Sequence, residues 1–226
     1  MGLTYADMAR LAYKPAPTVT QYGQWQMQPL DHRTRLFVSP GEVVIAFRGT
    51  VPSDPSDLLA DAALLNGTEH TAPVFRKAVK QVESALIAFP GRKLTLTGHS
   101  LGGGVALYAF AKHWKRVSDV YAYNPGMGKS AIFQGLKDLL WCKIARTSKC
   151  KKYKRAIHIF RTKWDPISIL GAPSATTVRQ TAKDPHTIDN FTSPALSGGK
   201  LAYGNSRIVV KNGHLGMMPD SKNIFY

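Results

Sequence analysis

The sequence predicts an α/β fold, in which one domain over residues 1–226 is built on a mostly parallel central sheet flanked by helices. Three observations predict it. Val43-Val44-Ile45-Ala46-Phe47 is a continuous apolar run, the pattern of a strand buried on both faces. Val74, Phe75, Ala78, Val79, Val82, Ala85, Leu86 and Phe89 recur at helical spacing, which marks an amphipathic helix over 74–89. Strand-like and helix-like segments alternate beyond it, as parallel strands joined by helical crossovers require.

Taken in chain order, a first helix is expected over 5–13, with Met8, Leu11 and Ala12 on one face and Pro15 as its stop. Short strands follow at 24–28, 33–38 and 42–47. Pro90-Gly91 closes the 74–89 helix, after which 94–97 reads as a strand, 101–114 as a helix, and 117–123 and 156–161 as further strands. Two segments interrupt the alternation. Residues 51–71 are rich in Pro, Ser, Asp and Gly around Leu58-Leu59-Ala60. Residues 126–155 form a long excursion between two strands, and its second half carries Lys143, Arg146, Lys149, Lys151, Lys152, Lys154 and Arg155.

At 226 residues the chain is long enough to bury a full core, and 44% hydrophobic content belongs to a globular protein rather than a disordered one. Thirty Lys+Arg against fourteen Asp+Glu give a net charge of +16, which points to polyanionic surroundings and says nothing of fold. An anionic membrane surface is the expected peripheral partner, with nucleic acid less favoured. The first residues, Met1 to Asp7, lack the basic-then-apolar pattern of a secretory signal, and Ala6 breaks the myristoylation pattern. The longest small-and-apolar run, 101–111, is too short to span a bilayer. The expectation is a soluble chain, cytoplasmic or associated with a virion. Cys142 and Cys150 make no disulfide framework and no four-ligand zinc site; two free thiols or one disulfide between them both fit.

Chemistry enters at Gly98-His99-Ser100-Leu101-Gly102. This G-x-S-x-G pentapeptide follows a strand-like segment and opens a helix-like one, the setting in which a serine projects from a sharp strand-to-helix turn. Two glycines relieve the crowding there. The arrangement is α/β-hydrolase-like and makes Ser100 the candidate nucleophile. A serine hydroxyl needs a base, and the base an orienting acid, which this fold supplies in the order Ser, Asp or Glu, His. Asp165, just past the 156–161 strand in Trp164-Asp165-Pro166, is the candidate acid. The oxyanion of an acyl-transfer intermediate needs fixed donors. Leu101 main-chain N–H is one candidate. Thr50, ending Phe47-Arg48-Gly49-Thr50, is the other, through its N–H and its hydroxyl, while Arg48 is expected to tie the loop. The chemistry requires no cofactor and no metal, and no His/Cys/Asp group has ligand spacing.

The run from Val43 to Thr50, then Asp61, then Gly98-His99-Ser100-Leu101-Gly102-Gly103, then Asp165-Pro166-Ile167, resembles the class 3 lipase family, the fungal lipase-like α/β-hydrolases. The match runs from Tyr5 to Phe191 by motif order and spacing. It implies triacylglycerol lipase, phospholipase A1 or related acyl-ester hydrolysis. It also implies a lid-like segment over 51–71 with Leu58, Leu59 and Leu64 as its apolar residues. Of seven histidines, His186 in His186-Thr187-Ile188-Asp189-Asn190-Phe191 is similar to the catalytic histidine of shorter class 3-like sequences, and His214 stands where longer fungal members would place it. His186 is favoured as base over His214. His99, beside the serine, is a substrate-contact candidate although its ring should point elsewhere on the turn. The competing readings are an esterase or acyltransferase for a non-lipid ester, and an inactive hydrolase-fold module binding an anionic membrane or nucleic acid.

Overall fold

The structure is a computed structural model and describes residues 2–15, 19–51, 53–126, 155–162, 165, 176–178, 182–192, 206–211 and 214–219. The basic residues Lys143 to Lys154 and both cysteines lie outside the described residues.

Eight strands form one sheet in sequential order: β1 (Thr20–Tyr22), β2 (Trp25–Pro29), β3 (Thr34–Val38), β4 (Glu42–Phe47), β5 (Lys93–His99), β6 (Asp119–Tyr123), β7 (Ile157–Thr162) and β8 (Thr176–Val178). The first three pairings are antiparallel, and the four from β4 to β8 are parallel. A mixed sheet with an antiparallel edge follows from connection length. Tight turns such as that at Gly23 (φ 57°) can only reverse the chain, whereas the helical crossovers after β4 and β5 return it parallel.

The helices are α1 (Tyr5–Leu11), α2 (Pro55–Asn66), α3 (Pro73–Ala88) and α4 (Leu101–His113). On one face, α2, α3 and α4 cover Val43, Ile45, Phe47, Leu94, Leu96 and Val120. On the other, α1 and the turn Ile188–Asn190 cover Trp25, Met27, Phe37, Val44, Ala46, Tyr121 and Tyr123. β4 feeds both layers by alternation, which is why its sequence is an unbroken apolar run. Fully buried side chains such as Phe75, Val82 and Ile45 each contribute about 1.5–3 kcal/mol relative to exposure. The N-terminal helix is closed by a capping box, Thr4 Oγ1 accepting from Asp7 N–H and Asp7 from Thr4 N–H.

Element type matches expectation for every strand and helix read from periodicity, with ends displaced by a few residues. β5 extends to His99, delivering the chain directly to Ser100. The main difference is 51–71, read as an irregular segment but containing the three-turn α2 and a 3-10 turn, Glu69–Thr71. Its Pro55 occupies the first helical position, where no N–H is needed, and Leu58 to Asn66 are mostly good helix formers. Asp57, Ala60, Ala63 and Leu64 face inward and are buried, while Leu58 and Leu59 are 55% and 68% exposed. The three leucines expected as the lid's apolar residues therefore divide, with Leu64 belonging to the core. A two-stranded antiparallel sheet, β9 (Ser206–Lys211) with β10 (His214–Pro219), was also unanticipated. Among the described residues no helix is long and apolar enough to cross a membrane.

Candidate active site

β5 ends at His99 and α4 begins at Leu101, so Ser100 alone makes the turn. Its backbone has φ 56° and ψ −128°, a left-handed conformation costing a non-glycine residue about 1–3 kcal/mol unless its surroundings enforce it. The enforcement is visible. Ser100 N–H donates to the Tyr123 carbonyl at 3.0 Å, and the Ser100 carbonyl accepts from Gly104 and Gly126 N–H at 3.2 and 3.0 Å. A Cβ on Gly98 would overlap the Gly102 carbonyl and lie 2.8 Å from Gly103 N. One on Gly102 would overlap the Phe47 carbonyl oxygen and lie 2.8 Å from the Arg48 carbonyl carbon. Both flanking glycines are thus set by close main-chain approach.

Ser100 Oγ lies 2.8 Å from His186 Nε2, and His186 Nδ1 lies 2.8 Å from Asp165 Oδ1. Asp165 is fully buried, and 20% of the His186 side chain is exposed. With an ionised carboxylate accepting from Nδ1–H, Nε2 is left as the acceptor for the serine hydroxyl. The acid stands just beyond the end of β7, held by Asp165 N–H on the Thr162 carbonyl. The histidine stands on a turn packed by Ile188 and Phe191 against α1 and the sheet. Residues from three separate parts of the chain meet at the carboxyl ends of the parallel strands, where such sheets gather their functional groups.

The 48–51 loop lies against this group. A Cβ on Gly49 would come 3.1 Å from Ser100 Cβ. Arg48 ties the loop, its Nη2 2.9 Å from both Asp54 Oδ2 and Asp57 Oδ2, while Arg33 also pairs with Asp57 and Val51 N–H donates to it. The Thr50 hydroxyl donates to Asp61 Oδ2 at 2.8 Å, so its proton is directed at α2 and the main-chain N–H is the donor left for an oxyanion. Burial holds the Asp61 carboxyl above its ordinary pKa, opposed by the Thr50 hydrogen bond. Leu101 is the first residue of α4, and a first-turn N–H has no intrahelical acceptor.

His99 departs from its substrate-contact expectation. It is 5% exposed with both ring nitrogens engaged, Nδ1 by Tyr13 Oη at 2.8 Å and Nε2 by the His186 carbonyl oxygen at 2.6 Å. No nitrogen is left to meet a substrate. Burial, with His186 nearby as the second cause, lowers its pKa from 6.5 to about 3. The unfolded chain therefore takes up a proton at this residue between pH 6.5 and about 3 while the folded chain does not. The unfolded state binds more protons in that window, so stability is kept above it and falls as pH drops through it. Thermal melts should show this decline, with a shallower slope for His99→Gln. Equal slopes in the two proteins would place the acid sensitivity elsewhere.

Of the side chains that hold the His186 turn, Asn124 carried no sequence signal, whereas Asn190 falls within the pattern quoted for His186. Asn124, fully buried with φ 40°, donates through Nδ2 to the carbonyls of Pro185 (3.0 Å) and His186 (3.3 Å) and accepts from Thr162 N–H (2.9 Å). Asn190 Nδ2 donates to the carbonyls of Asp184, Pro185 and Thr187. His158 pairs with Asp119 and stacks on Tyr121, away from this group, and His214 begins β10 in the separate sheet. Among the described residues no three His, Cys, Asp or Glu side chains gather as a metal site.

No protein-family model matches the chain, and no curated protein does. Among solved structures it is similar to a variant of MDLA from Penicillium cyclopium, at 17% identity over 80% of this chain and 78% of that one, with a TM-score of 0.47. It is also similar to Lip2 lipase from Yarrowia lipolytica, at 16% identity over 77% of this chain and 76% of that one, with a TM-score of 0.50. At such identity the likeness to Lip2 is one of fold, and with the eight-stranded sheet and its flanking helices it makes the architecture α/β-hydrolase-like.

Proposed function

We propose that the chain is a serine hydrolase that cleaves carboxylic ester bonds of lipids through Ser100, His186 and Asp165. The observation that carries the reading is the unbroken series Ser100 Oγ, His186 Nε2, His186 Nδ1, Asp165 Oδ1, with both hydrogen bonds at 2.8 Å. In this reading His186 takes the proton from Ser100 as Oγ attacks the ester carbonyl. The oxyanion faces Leu101 N–H and Thr50 N–H at the positive end of α4. His186 then protonates the departing alcohol, leaving an acyl-Ser100 ester. Water then attacks the acyl carbon as His186 takes its proton, and His186 returns that proton to Ser100 Oγ as the fatty acid is released. Asp165 holds the imidazole in the tautomer that both halves need. Asp165→Asn should lower turnover by about 10⁴-fold, because an amide can hold the wrong tautomer. Steady-state kinetics on a soluble ester check this, and a folded variant with turnover within tenfold of the parent would remove Asp165 from the role.

The choice of lipid esters is supported by the likeness to a structure named as a lipase, and by Leu58 and Leu59 exposed on the helix that follows the Thr50 loop. Such leucines suit contact with an apolar interface, and the 51–71 segment is the proposed cover over the site. The surplus of sixteen positive charges supports adsorption to anionic surfaces, each basic residue near an anionic leaflet contributing about 1 kcal/mol. The test is a hydrolysis panel of neutral triglyceride, phospholipid and a soluble non-lipid ester. Fatty-acid release from the lipids supports the reading, whereas turnover of the soluble ester alone would make the protein an esterase of another class. Anionic vesicles should be hydrolysed faster than zwitterionic ones at low salt, with the gap closing as salt rises. Equal rates at every salt concentration would deny the charge this role.

A further inference from the structure

His99 and Tyr13 take no part in the Ser100–His186–Asp165 series, yet their polar atoms form a second series running behind it. Both ends have fixed chemical roles. The His186 carbonyl can only accept, so His99 Nε2 carries the hydrogen across their 2.6 Å contact. His99 Nδ1 is then the acceptor, and the Tyr13 hydroxyl, 2.8 Å away, is its donor. Tyr13 Oη in turn lies against Gly49, where an added Cβ would overlap it. The direction is therefore Tyr13 O–H to His99 to His186 C=O. The series requires a neutral His99, and burial keeps it neutral. It also requires glycine at 49, since a Cβ there would overlap the Tyr13 hydroxyl and lie 2.6 Å from the His99 carbonyl oxygen.

The need for such a series lies in the His186 turn. Residues 184–187 are in no sheet ladder or helix, so beyond the turn's own main-chain bonds, such as Thr187 N–H to the Asp184 carbonyl, their main chain is held by side chains. Asn190 belongs to the same turn and moves with it. Asn124 and Thr162 reach the Pro185 carbonyl from beyond β6 and at the end of β7. The His186 carbonyl receives its shortest hydrogen bond, 2.6 Å against 3.3 Å from Asn124, from the residue adjoining Ser100.

We infer that Tyr13 and His99 are positioning residues, fixing the main chain of His186 against the loop that presents Thr50. The inference rests on the roles given above to Ser100, His186 and Thr50. Base and oxyanion donor come from segments far apart in sequence, and the relay sets one against the other through the residue next to the nucleophile. Loss of the relay removes no reacting group but lets the imidazole drift, and misplacement by about 1 Å can cost about 10²-fold in rate.

The experiment compares His99→Phe, His99→Gln and Tyr13→Phe with the parent. The phenyl ring fills the site without a donor, and the Gln side-chain amide can still donate to the His186 carbonyl. The kinetic readout is kcat and KM on a soluble nitrophenyl ester, per active site titrated with a fluorophosphonate. The second readout is the downfield proton resonance of His186 Nδ1–H, assigned by its disappearance in His186→Ala. His99→Phe should lose about 10²-fold in kcat with KM nearly unchanged, and its His186 resonance should shift or broaden. Tyr13→Phe should lose less, and His99→Gln should recover most of the loss. A merely structural role would lower the melting temperature and the titrated fraction but not kcat per titrated site. Folded His99→Phe and Tyr13→Phe proteins with parental kcat and an unmoved resonance would overturn the inference. Should His99→Phe fail to fold, Tyr13→Phe and His99→Gln decide it in the same way. A parent that hydrolyses no ester would refute the proposed function instead, and the resonance would still test the relay.

Discussion

Ser100→Ala should reduce ester hydrolysis by about 10⁶-fold while leaving the fold unchanged. The size follows from the chemistry, since Ser100 Oγ is the nucleophile held at His186 Nε2 and in the proposed reaction no acyl-enzyme forms without it. The preserved fold follows from the turn. Ser100 is held in its left-handed conformation by main-chain hydrogen bonds to Tyr123, Gly104 and Gly126, none of which uses the hydroxyl. Alanine meets the same backbone requirement as serine and loses one side-chain hydrogen bond, to His186. Circular dichroism and a melting temperature near the parent's should accompany the loss of turnover. A folded Ser100→Ala protein with near-parental turnover would contradict the assignment.

His186→Ala should fall nearly as far, because nucleophile and base act as one unit and removing either costs about as much as removing both. Asp165, fully buried, would then lose its 2.8 Å hydrogen bond from His186, so the melting temperature should fall as well. His214→Ala, at the start of β10, should keep most of the activity. Parallel kinetics on the two variants check this. The reverse pattern would make His214 the base and require a rearrangement of the arrangement described here.

The two halves of this reading were unequally legible in the sequence. Features set by neighbours in sequence stood out. β4 announced its burial by five consecutive apolar residues, and the elbow announced itself because Gly98 and Gly102 have no room for a Cβ. Asp165 and His186 could be singled out by position after a strand and by local pattern, but the sequence held nothing to show that they meet. α2 was obscured because its opening Pro-Ser-Asp has the composition of a turn, and only the buried Asp57, Ala60, Ala63 and Leu64 reveal its inner face. The β9–β10 pairing has one sequence signal, Asn212-Gly213, which lies between the two strands in the chain.

The supports of the His186 turn were hidden for a different reason. Tyr13 and His99 are 86 positions apart, and Asn124 is 62 from His186. Each reads locally as an unremarkable residue at the end of a helix or strand. Their contacts are created by the sheet, which brings the ends of β4, β5, β6 and β7 to one rim. The same logic explains His99, whose place beside the nucleophile suggests substrate contact, although its side chain is directed to Tyr13 and the His186 main chain.

The central claim is that Ser100 is an activated nucleophile. Incubating the purified protein with a fluorophosphonate and mapping the adduct by mass spectrometry tests it without any assumption about the natural ester. One adduct, on Ser100, should form in the parent, be absent in Ser100→Ala and form far more slowly in His186→Ala. A folded parent protein that remains unlabelled, or is labelled at another residue, would contradict the account.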